Sequence, residues 1–207
     1  MRVRVLAVAD EVSDALWGRT LDDLRPDLIV ACGDLPFEYL ENLVSRTDRP
    51  LLYVPGNHDP DLRPKPWQAT GPLAEPQGPA GCINVDCRFE DAAGLRIAGL
   101  GGSIRYRPGP NQYTQHQMSL RALRLELAVR LGARPVDVLI THSPPAGRGD
   151  GDDAPHRGFT ALERLVRRLS PRYLIHGHVN QYGPRLPPLR IGRTVIVNAI
   201  PSRLLEL

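Results

Sequence analysis

Lysine is almost missing from this 207-residue chain: Lys65 is the only one, and arginine supplies the rest of the 26 basic residues. Beside 21 prolines and 19 glycines, that bias matches a GC-rich genome, so the arginines alone are not read as a phosphate signature. Charge of one sign is scarce too. A formal net charge of +3 gives little pull on a polyanion, and aromatics at 5% leave no basic stripe interleaved with stacking rings. Nucleic acid is therefore disfavoured as a partner. Cysteine is limited to Cys32, Cys82 and Cys87, an odd number without paired spacing, which argues against a disulfide framework or a zinc knuckle. Cys32 lies in an apolar run and reads as a small buried filler. No apolar run reaches membrane-spanning length, and no leader pattern precedes the strand-like Arg2–Val8. The expectation is a reduced, cytoplasmic protein with no membrane partner.

What is present is apolar in short pieces. A hydrophobic share of 42% and this length favour one α/β domain over residues 1–207. Val3–Ala9 runs into Asp10, Leu28–Cys32 into Gly33-Asp34, and Leu51–Val54 into Pro55-Gly56-Asn57-His58-Asp59. Val136–Thr141 runs into His142, and Tyr173–Ile175 into His176-Gly177-His178. Such runs fit strands buried on both faces. Helical spacing lies between them: Ala15–Leu24 behind a cap at Ser13, Glu38–Thr47 behind Pro36, the arginine-rich Met118–Leu131, and a stripe of Leu162, Leu165, Val166 and Leu169. The leucines of these segments are expected to face the core. Alternating strands and helices predict a mainly parallel arrangement, in which ligands gather at the carboxyl ends of strands. Residues 60–92 read as a surface excursion, Gly147–Pro155 as an acidic loop, and Val195–Leu207 as a strand pair, or a strand and tail, completing the sheet.

Asp10, Asp34, Asn57, His142 and His178 each close one of these strands. Asp and Asn offer hard oxygens and His a borderline nitrogen, a mixture that suits Mn, Fe or Zn. A strand-end Asp often caps a turn, and an isolated His is more often structural than a ligand. Five such residues at matching strand ends are harder to assign to turns. Gly33 and Gly56 would let the chain turn sharply and approach a ligand closely.

The ordered series Gly33-Asp34, Gly56-Asn57-His58-Asp59, Thr141-His142 and Gly177-His178 resembles the motif set of the calcineurin-like phosphoesterases, spread from residue 10 to residue 180. Its Gly-Asn-His-Asp block is the most specific part and a lone Gly-Asp the weakest. The run Thr141-His142-Ser143-Pro144-Pro145 and the His-Gly-His segment at 176–178 are similar to the small branch that includes the brain-type 239 phosphodiesterases. The resemblance implies an α/β/β/α sandwich of four layers, the metallo-dependent phosphatase fold, with two adjacent divalent cations. Asp34 would bridge them, Asn57, His142 and His178 would complete one site, and Asp10 would belong to the other. His58 would stand beyond the cations as proton donor to the leaving oxygen.

Two departures fall on the site held by Asp10. The family pattern Asp-x-His reads here Asp10-Glu11-Val12, and Gly-His-x-His reads Gly177-His178-Val179-Asn180. Val12 cannot coordinate, whereas Asn180 could offer an amide oxygen. Glu11 or the acidic loop at Asp150, Asp152 and Asp153 could swing in as oxygen donors, although the spacing does not show it and the loop reads first as a solvated turn. One site is thus expected to be firm and the other depleted.

The implied activity is hydrolysis of a small phosphate mono- or diester, with a nucleotide or cyclic nucleotide as the substrate class. His58 would act as general acid, oriented by Asp59 or Glu38. Arg105 and Arg107 are candidates for the substrate phosphate and Asn111 and Tyr113 for the pocket wall; exposed arginine is the plain alternative for the first pair. His176 is expected to pack behind the ligands, and His116 and His156 to lie on the surface or in loops, His156 reaching the site being the lesser alternative. Two other functions stand beside this one. A catalytically inert binding module is suggested by Val12 and Asn180, and a nuclease is opposed by the modest charge.

Overall fold

Short apolar runs ended by turn-forming residues build the frame. The computed structural model describes residues 2–62, 78–132, 134–180 and 189–207. From the amino end come β1 (Arg4–Val8), α1 (Arg19–Leu24), β2 (Leu28–Ala31), α2 (Phe37–Thr47) and β3 (Leu51–Tyr53). Next are β4 (Cys82–Asn84), β5 (Phe89–Ala92), β6 (Leu95–Leu100), β7 (Ser103–Ile104), β8 (Gln112–Tyr113) and the long α3 (Gln115–Leu131). β9 (Val138–Thr141), α4 (Thr160–Leu169), β10 (Tyr173–His176), β11 (Leu189–Ile191), β12 (Thr194–Asn198) and β13 (Ser202–Glu206) complete the order.

One sheet has the order β13-β1-β2-β3-β4 and the other β11-β12-β10-β9-β6-β5, while β7 and β8 pair by themselves. The inner pairings are parallel, and β13, β5 and β11 join antiparallel to their neighbours. Successive side chains of a strand point to opposite faces, so a strand covered on both sides feeds two cores. In β1, Val5 and Ala7 enter the core between the sheets, while Leu6 and Val8 pack with Leu21 of α1 and Tyr39 and Leu43 of α2. In β9, Val138 and Ile140 face the same central core, while Leu139 packs with Leu125 of α3 and Leu165 of α4. Helix, sheet, sheet and helix are thereby stacked around three apolar clusters, the sandwich that the motifs imply.

Several elements differ from the sequence reading. Ala15–Leu24 is not one helix: Asp14–Trp17 is a 3-10 turn, Gly18 is extended at φ −100° and ψ −161°, and Ser13 makes no side-chain cap bond. Within residues 60–92, β4 extends the first sheet and β5 edges the second. These strands of three and four residues are too short to show a period. Residues 63–77 of that stretch lie outside the described residues. β12 and β13 do not pair with each other; β12 lies beside β10 in one sheet and β13 beside β1 in the other. α4 keeps its predicted stripe, but α3 carries leucine on both sides, and Leu120, Leu123, Leu127 and Leu131 are exposed. Among the described residues no helix is long and apolar enough to cross a membrane.

Candidate metal centre

The sandwich brings strand ends of both sheets to one place. Asp10, Asp34 and Asn57 lie just beyond β1, β2 and β3, and His142 and His178 just beyond β9 and β10. Asp10, Asp34, His142 and His178 each offer one ligand atom, and those atoms all lie within 4.8 Å of one another. Their turns use left-handed backbone, with φ of 58° at Asp10, 57° at Asp34 and 67° at His178. Residues other than glycine pay about 1–3 kcal/mol for such conformations, so the packing around the turns must hold them there. The turns also cross closely. A methyl group on Gly56 would overlap Asp34 Oδ1, and one on Gly177 would overlap Asp10 Oδ2.

His142 is the buried pivot. Its Nδ1 donates to the Cys32 carbonyl at 2.7 Å, which directs Nε2 toward Asn57 Oδ1 at 3.0 Å and Asp34 Oδ2 at 3.3 Å. Burial opposes a charge on the ring, but the hydrogen bond and charge of Asp34, joined by the charge of Asp10, outweigh it and lift His142 to about 9. Burial likewise pushes Asp34 up, yet His142 and the His58 amide together bring it below the usual carboxylate range. A proton on Nε2 thus sits among converging acceptors, where a cation would satisfy the same oxygens. Asn57 Nδ2 donates to the Tyr106 hydroxyl at 3.5 Å, and this turns its oxygen to the cluster.

His178 is held from the opposite side. Its amide donates to Asp10 Oδ2 at 2.8 Å and its Nε2 to the Pro155 carbonyl at 2.8 Å, leaving Nδ1 without that bond. Burial, then the charge on His142, push His178 down to about 3, so the ring stays neutral and able to ligate. Burial pushes Asp10 up to about 6 against the pull of His142. Beyond Asp10 the cluster opens to solvent. Val12 is 37% exposed, and Asn180 Nδ2 donates to Glu11 Oε1 at 3.0 Å. The structure therefore pairs Glu11 with Asn180 at the exposed side of the four-residue cluster, to which Glu11 contributes no ligand atom.

The remaining sequence candidates are distributed around this centre. The His58 amide donates to Asp34 Oδ1 at 2.8 Å, and the residue is exposed at the rim. Asp59 Oδ2 accepts from the amides of Asp34 at 3.0 Å and Gly56 at 2.7 Å, because those turns would otherwise bury unpaired donors. Glu38 is exposed in the first turn of α2. Asn111 braces the Gly56–Asp59 turn from outside, Nδ2 donating to the Gly56 carbonyl at 3.0 Å and the Asp59 carbonyl at 3.2 Å. Arg105 is engaged locally with the Gln112 carbonyl and Gln117 Oε1, and the Arg107 guanidinium lies over the Tyr106 ring at 5.3 Å. Tyr106, between them, was not signalled by any motif. His176 is buried, donates Nδ1 to the Gly177 carbonyl at 2.9 Å, and is pushed down to about 4 by burial. His156 reaches the edge of the centre, its ring 5.4 Å from that of His178 and its Nδ1 on Asp153.

The family model of the calcineurin-like phosphoesterases matches residues 6–182, a segment that contains every residue of the cluster. The chain belongs to that family. One solved crystal structure superposes with a TM-score of 0.68 at 19% identity, covering 100% of this chain and 95% of its own. The crystal structure of TT1561 from Thermus thermophilus superposes with a TM-score of 0.64 at 19% identity, covering 96% of this chain and 89% of that one. At such identity the likeness concerns the fold alone. No curated protein matches the chain.

A calcineurin-like phosphoesterase calls for divalent cations, and the donor set here fits one. Two carboxylates and two imidazoles converge within 4.8 Å, one imidazole kept neutral and the other sharing its proton with a carboxylate. The Asn57 amide oxygen adjoins them.

Proposed function

We propose that the chain is a metal-dependent phosphoesterase acting on a small phosphate mono- or diester, with Asp34, Asn57, His142 and His178 holding a firm cation. The convergence of Asp10, Asp34, His142 and His178 supports this reading most directly. A divalent cation, when bound, supplies an electrophile for the phosphoryl oxygens and acidifies a water. Manganese, iron and zinc all suit this mixture of oxygen and nitrogen donors. Asp10 and Asn180 would hold a second, weaker cation. The chain's own residues do the rest. Cys32 O and Tyr106 fix His142 and Asn57 in their orientations, so the donors are in place before substrate arrives. His58, exposed on the loop that carries Asn57, delivers a proton to the leaving oxygen. Arg105 and Arg107, on either side of Tyr106, border the approach and receive the substrate phosphate in this reading. A nucleotide or cyclic nucleotide is the substrate class proposed.

The test is elemental analysis of the purified chain together with hydrolysis of bis-p-nitrophenyl phosphate by wild type and His142→Ala. Activity that accompanies a bound cation and disappears with His142 supports the enzyme. A chain that binds no divalent metal, with wild type and variant equally inert, overturns it. The pairing of Glu11 with Asn180 favours one second reading, an inert phosphoesterase-fold binding module. That reading gains if His58→Ala changes neither turnover nor ligand affinity.

A further inference from the structure

α3 carries more leucine than its place in the fold requires. Met118, Ala122, Leu125 and Val129 are buried against the second sheet, and one such stripe holds a surface helix in place. A second stripe faces away: Leu120, Leu123, Leu127 and Leu131 are 45%, 46%, 54% and 87% exposed. At 1.5 Å per residue the row extends about 16 Å along the helix. Single exposed leucines are ordinary, whereas a continuous row rimmed by polar residues marks a contact surface.

The row borders a groove of about 110 Å³ between α3 and α4, where the small side chains Ala122 and Ala161 leave room between Leu123, Arg164 and Arg168. Arginine outnumbers acid around it, with Glu126 the acidic residue of its lining. Arg121 turns inward to Asp86, which leaves Arg124, Arg130, Arg164, Arg167 and Arg168 against Glu126 and Glu163 on these helices. Five against two is +3, as much as the net charge of the entire chain. Glu126 is spent on Arg130 and Arg168, and Glu163 on Arg167. Arg124 and Arg164 have no ion pair among the described residues.

We propose that the α3–α4 face docks an acidic amphipathic helix of a partner protein, its apolar residues against the leucine row and groove and its carboxylates on the arginine rim. A second copy of this chain would bring arginine onto arginine. The face is separate from the metal centre, being the helix layer outside the second sheet.

The probe is a fluorescein-labelled helical peptide with leucines on one face and glutamates elsewhere, titrated with the full chain and followed by anisotropy. A twin with lysine for glutamate, vesicles of phosphatidylcholine with phosphatidylglycerol, and sedimentation of the chain alone complete the set. Saturable binding of the acidic peptide in roughly the micromolar range is expected, weakened about tenfold or more by L123S/L127S and by Arg164→Glu. The lysine twin should not bind, and phosphoester hydrolysis and thermal unfolding should stay as in wild type. Absence of saturable binding, or equal binding by L123S/L127S, overturns the proposal. Vesicle binding without peptide binding overturns it in favour of a membrane, and a dimer dispersed by L123S/L127S overturns it in favour of a second copy.

Discussion

The two halves of the candidate metal centre are built from the same strand-end turns, yet one is closed and the other open. In His142, whose side chain is fully buried, each ring nitrogen has a fixed partner: Cys32 O behind it, and Asp34 and Asn57 ahead. Around Asp10 the chain leads out to exposed Glu11, Val12 and Asn180. Both departures from the family pattern fall in the open half. A buried polar network is costly to leave partly satisfied, so a change at His142 strands its neighbours. An exposed ligand position can change side chain with water completing the bonds. Burial therefore separates the half that keeps its donors from the half that does not.

The comparison breaks hardest at His142. His142→Ala should abolish measurable hydrolysis of bis-p-nitrophenyl phosphate, with loss of bound cation in elemental analysis. His58→Ala should reduce kcat by about 10²–10⁴ while leaving cation content unchanged, since its side chain stands at the rim. The third effect depends on pH. In the cation-free chain His142 is raised from 6.5 to about 9, so its contribution to stability is complete below 6.5 and is lost as pH rises through about 9. Thermal unfolding of the chelated protein should therefore weaken between pH 6.5 and 9, and the loaded protein should not follow it. In the same window a cation displaces the His142 proton, and calorimetry should show affinity rising about tenfold per pH unit.

The open half sharpens the comparison from the other direction. V12H/N180H returns histidine to both depleted positions, and cation content should rise toward about two per chain. Smallest of all, Glu11→Gln weakens an exposed hydrogen bond and should alter stability by less than about 0.5 kcal/mol, measured by denaturant unfolding.

The closed half was more legible than its surroundings. Asp34, Asn57, His142 and His178 end apolar runs, and a run that stops at a chemically useful residue marks a strand end in any parallel sheet. Tyr106, Asn111 and His156 were harder to place because their roles depend on distant partners: Asn57, the Gly56 carbonyl and the His178 ring. Asp59 is the opposite case. Its position beside His58 suggested an orienting role, while its carboxylate is used by amides that only the folded turns place nearby. The exposed row on α3 was read as core because leucine at helical spacing fits either face, and burial alone tells them apart.

By itself, the sequence determined the strands buried on both faces, the helices between them and the identity of the donors at their ends. Those follow from local hydrophobic pattern and residue chemistry. The tertiary structure decided which donors meet, because residues from separate sheets converge only when the sandwich closes over its central core. It also decided how each donor is charged: burial and the neighbours across the sheet interface raise His142, lower His178 and leave Glu11 paired with Asn180.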